Sequence, residues 1–277
     1  MRIKIIDTAK CESCKQRSCS LTDTITKSDF MNLKTEQYTC PVKMFAYGLT
    51  DEQMEAGYID FNIEKNECLH CCLCVIQCSK KNLLLENYAY DARADMLRLK
   101  ESGELQSQGP SNIIALSYLN TLFGFAANTN LIITLPFDGV LLTKSGDVCL
   151  VEVDINNDSL ECCRRLLADI VLYNYRNDTK VRNGLMVIND FPKQGSRDVF
   201  PLIKSVKEFE NTSDINIYIT TFSLLRYFVL NLKAIDYELD DLLFNASKIT
   251  EEEYLKKLLD SGEITQEISS EIFKEGE

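Results

Sequence analysis

Histidine is nearly absent from this chain, with His70 the single copy in 277 residues, and long apolar runs are missing altogether. No stretch approaches the roughly eighteen uncharged apolar residues that would suggest a membrane span. The opening residues MRIKIIDTAKCESC hold a short apolar strand pattern but lack the long apolar run and cleavage site of a secretory signal. A cytoplasmic protein with no membrane partner is therefore expected, in a reducing compartment where clustered cysteines more often hold metal than form disulfides. Basic residues are the minority sign, 30 against 42 acidic ones, for a net charge of -12. That balance argues against a broad basic surface able to grip nucleic acid unaided. With 45% apolar residues the composition is that of a folded chain.

What is present is unevenly spread. Nine of the twelve cysteines fall before residue 79. This predicts a cysteine-rich domain over 1–90, a charged helix and linker over 91–110, and a second domain over 111–277. In the first part RIKII, YIDFNI and KKNLLLENY read as strands and TDEQMEA as a short helix. In the second, IIALSYLNTLFGF reads as a helix, LIITLPF, GVLLT and DVCLVEVD as strands, and SLECCRRLLADIVLYNY as an amphipathic helix. That helix is expected to put Leu160, Cys163, Leu167, Ile170 and Val171 on one side. GLMVIND and INIYITT follow as buried strands, and EEYLKKLLDS as a helix near the end of the chain. Strands and helices in this order give an α/β class for the second domain.

The run from Cys68 to Cys78 reads C-x2-C-x2-C-x3-C. Thiolates at this spacing can wrap a cubane iron–sulfur cluster while the intervening amides turn toward its sulfurs. A structural zinc site is the alternative for paired C-x2-C elements. His70, between two cysteines of the run, suits hydrogen-bond tuning better than general-base work. Cys149, Cys162 and Cys163 have strand or helix contexts and read as small core residues.

The run, together with CPVKMF and YIDFNIEKNEC, resembles the bacterial two-cluster ferredoxin family. The resemblance implies an α+β ferredoxin-like N-terminal domain with two [4Fe-4S] clusters. One would take Cys68, Cys71, Cys74 and the remote Cys40; the other Cys11, Cys14, Cys19 and Cys78. Cys72 stands at the family's usual glycine position and Ser79 at its usual proline.

A second constellation lies in LPFDGVLLTKSGDVCLVEVD. Asp138 precedes Glu152 by thirteen intervening residues, a span that a hairpin closes, and period two puts Glu152 and Asp154 on one strand face. Their oxygens are suited to Mg2+ or Mn2+. This arrangement resembles the PD-(D/E)xK nuclease superfamily. The resemblance implies a restriction-endonuclease-like α/β domain with a central mixed sheet, metal at Asp138, Glu152 and Asp154, and metal-dependent phosphodiester hydrolysis. Asp154 occupies that family's lysine position, so Arg164, Arg165 or Lys144 would have to supply the positive charge; Arg164 is the catalytic candidate. The expected function is an iron–sulfur protein with a nuclease-like domain acting on DNA or RNA with help from a protein partner. The alternatives are a ferredoxin-like electron-transfer protein docking a redox partner, or a noncatalytic scaffold.

Overall fold

A computed structural model of the chain describes residues 2–12, 25–26, 34–35, 51–60, 71–76, 78, 81–86, 108–128, 137–143, 145–154, 158–178, 180–192, 199–208, 214–232 and 237–273. The chain divides into two compact units, Met1–Tyr90 with Leu97–Ile114, and Asp91–Met96 with Ala115–Glu277.

In the first unit, β1 (Arg2–Ile5) is the middle strand of an antiparallel sheet. Its neighbours are β4 (Tyr58–Asp60) and β5 (Leu83–Glu86), so the strands expected at the two ends of the cysteine-rich segment pair with the same partner. Buried Asn82 ties the strand ends together. Its amide donates to the Asp7 carbonyl at 2.6 Å and its side-chain oxygen accepts from the Asp7 N–H at 3.0 Å. The Asp7 carboxylate in turn accepts from Ala9 N–H and caps α1 (Thr8–Glu12). A two-stranded ladder of β2 (Ile25–Thr26) with β3 (Lys34–Thr35), then α2 (Asp51–Ala56) and α3 (Leu73–Ile76), complete the described elements of this unit.

The division between the units falls within α4 (Gln108–Phe123). Gly124, at φ +102°, ends that helix in the left-handed region. The next four residues form β6 (Phe125–Asn128), although FAAN carries little strand signal. Its pairing with β7 (Gly139–Leu142) decides the matter, because tertiary contacts override weak local preference. LIITLPF lies outside the described residues except for Phe137.

The sheet of the second unit has six strands in the order β11-β10-β9-β8-β7-β6. The three at its centre, β8 (Val148–Asp154), β9 (Asn183–Ile188) and β10 (Asn216–Thr221), are parallel. β6, β7 and β11 (Phe244–Asn245) add antiparallel edges. The long apolar runs at β8 and β9 follow from this placement, since strands covered on both faces do not alternate. Between β8 and β9 the chain crosses through α5 (Ser159–Arg176), whose first turn is capped by the Asp158 carboxylate. Later come α6 (Val199–Glu208), α7 (Phe222–Asn231), α8 (Leu239–Leu242), α9 (Glu251–Ser261) and α10 (Gln266–Ile272). No described helix is long and apolar enough to cross a membrane.

Helix α5 buries Cys162, Cys163, Leu166, Leu167, Asp169 and Ile170, whereas Val171, expected on that side, is 53% exposed. Gly184 in β9 permits the close approach of this face. A Cβ there would lie 2.8 Å from Ile170 Cδ1 and 2.9 Å from Leu166 Cδ2. Gly184→Ala is accordingly expected to destabilise the protein by about 1–2 kcal/mol through overpacking. Ile170→Val, which removes the nearer methyl, should recover part of that loss. Urea midpoints at unchanged m-value check both steps.

These elements correct the expected fold class. A ferredoxin-like unit is organised by its clusters, and a restriction-endonuclease-like one is recognised by its metal-holding acids. Among the described residues no three or more His, Cys, Asp or Glu side chains come together to hold a metal ion. What stands, among the described residues, is an α/β chain with a mixed six-stranded sheet and two small antiparallel ones.

Candidate functional site

The carboxyl groups singled out in the sequence sit on the hairpin and parallel strand that face α5. Asp138 precedes β7 and accepts the Val153 N–H through Oδ2 at 2.9 Å. This bond fixes the hairpin start against β8 and consumes one carboxylate oxygen. Glu152 and Asp154, two residues apart on β8, both reach Arg165 of α5. Arg165 Nη2 is 3.3 Å from Asp154 Oδ2 and 3.8 Å from Glu152 Oε2. All three acids are buried, whereas the Arg165 side chain is 40% exposed.

A fourth acid, Asp169, enters from α5 one turn beyond Arg165 and is buried as well. Nothing in the strand motif announces it. The signal is in the helix, where position 169 borders the inward arc of Cys162, Leu166 and Ile170 at helical spacing. Arg164, expected to supply the positive charge in place of the family's lysine, is exposed, and its neighbour Arg165 is the one that meets the acids. A step of about 100° per residue separates the two directions. Lys144 lies outside the described residues.

The electrostatics follow from burial. Desolvation first, then the adjacent Asp138 charge and side-chain hydrogen bonds with Asp138 and Asp169, push Glu152 up to about 10 despite the opposing Arg165. Burial likewise raises Asp169, while its hydrogen bond with Glu152 pulls the other way. Glu152 therefore keeps its proton at neutral pH and serves as a hydrogen-bond donor among acceptors. Asp169 Oδ2 is buried without a hydrogen-bond partner, and so is Arg165 Nε. Cys162 and Cys163, on the same helix, are fully buried thiols with raised proton affinity, the latter pushed up to about 12 by desolvation. They are core side chains.

This geometry corrects the expected Mg2+ or Mn2+ site. Glu152 spends its carboxyl on neighbouring carboxyls, Asp138 spends an oxygen on the backbone, and a guanidinium sits against Glu152 and Asp154. No metal-holding group of three forms there.

The two [4Fe-4S] clusters are corrected in the same way. Of the expected ligands, Cys71, Cys74 and Cys78 are described, with Cys74 buried and the other two half-buried. They form no metal-holding group among the described residues. Cys78 Sγ instead accepts the Asn82 N–H at 3.3 Å, and Cys72 takes φ +61°, the left-handed seat that suits the glycine whose place it occupies. The side chains of Cys11, Cys14, Cys19, Cys40 and Cys68, and all of His70, lie outside the described residues.

No family model, no curated protein and no solved structure matches the chain. The resemblances to two-cluster ferredoxins and to PD-(D/E)xK nucleases therefore gain no support from relatives. Electron transfer and phosphodiester hydrolysis, which rested on those metals, are withdrawn with them.

Proposed function

We propose that the second unit binds a small organic cation, carried by an amine or guanidinium group, at the cluster of Asp138, Glu152, Asp154 and Asp169. The observation that carries this reading is the Asp169 Oδ2, buried among the acids with no hydrogen-bond partner. A buried acceptor without a donor costs roughly 1–3 kcal/mol, and a ligand N–H offsets that cost. Arg165 supports the same reading. Its half-exposed guanidinium stands where a ligand cation would stand, bridging Asp154 and Glu152 as a tethered competitor. A guanidinium ligand can reproduce those contacts with bidentate geometry. DNA or RNA, the partner expected from the sequence, is disfavoured at this place because phosphates would face carboxyl groups.

Agmatine and spermidine are suitable probes, with thermal unfolding as the readout. Agmatine is expected to raise the unfolding midpoint of the full-length protein in a concentration-dependent way. Arg165→Ala, which removes the tethered competitor, should tighten agmatine binding about tenfold, since a competing closed state lowers apparent affinity. Asp154→Asn and Asp169→Asn should weaken it. No shift with either probe, a shift unchanged in both Asn variants, or stabilisation by Mg2+ or Mn2+ alone overturns the proposal.

A further inference from the structure

The outer face of α5 carries an apolar stripe with charged ends. Glu161, Arg164, Ala168, Val171, Leu172, Tyr175 and Arg176 are all exposed. At about 100° per residue they fall within one arc of the helix surface. Val171 is 53%, Leu172 41% and Tyr175 87% exposed, among the few large apolar side chains left in solvent among the described residues. Scattered exposed apolar residues need no explanation, but three within two turns of one helix form a patch.

We infer that this stripe is a self-complementary surface on which a second copy of the chain docks, with the two α5 helices antiparallel about a two-fold axis near Ala168. The charge order along the helix argues for this occupant. The acidic end of the stripe is Glu161 and its far end is Arg176, so an antiparallel copy sets Glu161 of each protomer against Arg176 of the other. Residue numbers that meet across the axis sum to about the same value, as an isologous contact requires. The register that brings Glu161 to Arg176 also puts Arg164 over Leu172, where its aliphatic stem covers apolar surface while the guanidinium stays in water. Ala168 falls at the crossing, and so small a side chain allows the short interaxial distances of packed helices.

Net charge narrows the choice further. The chain carries -12, so two copies repel over most of their surfaces. The stripe holds two arginines and one glutamate, so it does not share that repulsion. One helix pair buries less than a standard interface, so the association is expected to be weak, on the order of micromolar or weaker. Arg165 lies at the border of the stripe, so dimer formation and the carboxyl cluster share an edge of the helix.

Sedimentation velocity of the full-length protein across a concentration series tests the assignment. A reversible monomer–dimer equilibrium is expected. Leu172→Glu and Tyr175→Glu, at exposed positions, should each abolish the dimer with the far-UV spectrum unchanged. The charge pair is the sharper test: Glu161→Arg alone should weaken association at least tenfold, and Glu161→Arg with Arg176→Glu should restore it. A monomer at every concentration, a dimer indifferent to Leu172→Glu, or a double reversal that fails to restore association overturns the inference. Capture of an unrelated acidic peptide by a protein that stays monomeric overturns it too.

Discussion

Phe244→Ala is expected to cost the protein about 3–5 kcal/mol, the largest single loss foreseen for a side chain of this fold. Phe244 is one of the two residues of β11, the edge strand, and pairs with Ile219 of β10. Its ring is 1% exposed and lies 5.3 Å from Tyr254, 6.1 Å from Phe273, 6.3 Å from Phe200 and 6.4 Å from Phe191. Truncation removes the transfer free energy of the ring and leaves a cavity bounded by four other rings. Those rings come from four separate segments, and such a site collapses poorly. Tyr254 resists movement because its hydroxyl donates to the Leu242 carbonyl at 2.7 Å. Aromatic pairs add about 0.5–1.5 kcal/mol beyond their area. Against typical stabilities of about 5–15 kcal/mol, a loss of this size brings much of the population near unfolding. Phe244→Leu, which keeps most of the volume, should cost markedly less. Urea unfolding of both variants measures the difference, and equal losses would show that ring contacts rather than volume hold the cluster.

The central strands could be read from the sequence because their physics is local. DVCLVEVD, GLMVIND and INIYITT are β-branched or apolar runs too short for buried helices, and each became a parallel strand. Helix α5 was legible from its 3.6-residue period. What escaped had no local signal. β6 follows a helix directly and exists through its pairing with β7, a contact that a one-dimensional pattern does not contain. The short edge strand β11, two residues long, is equally dependent on its partner. Val171 fits an apolar period yet points outward, because Leu167 and Ile170 already fill the inward arc. At the site, period two correctly put Glu152 and Asp154 within reach of one side chain. The spacing of acids could not tell a metal ligand set from a proton-sharing cluster. Burial, the inward Asp169 and the choice of Arg165 over Arg164 decide that, and all three depend on how α5 lies on the sheet.

Glu152→Gln is expected to stabilise the protein at neutral pH, by about 2–3 kcal/mol at pH 7, and to flatten its dependence on pH. The direction follows from the proton. An exposed glutamate in the unfolded chain titrates near 4.5, whereas folded Glu152 holds its proton up to about 10. A group whose folded-state proton affinity is raised contributes its full stability below the unfolded value and loses it as pH climbs toward the folded one. Stability should therefore fall between about pH 5 and pH 10, by at most about 1.4 kcal/mol per pH unit for one proton. Glutamine is neutral throughout, matches the shape and keeps an N–H to offer Asp138 or Asp169. The variant and the parent should thus differ little near pH 5 and diverge steadily above it. Parallel stability curves from pH 5 to 9 would show that Glu152 is not the proton carrier. The same variant also separates the site's charge from its shape. Because Glu152 is already uncharged at pH 7, Glu152→Gln should leave agmatine affinity within about twofold, while Asp169→Asn, which alters the unpartnered acceptor itself, lowers it. A large loss of agmatine binding in Glu152→Gln would mean that the ligand draws the proton off Glu152. Binding would then release a proton, and its affinity would rise with pH.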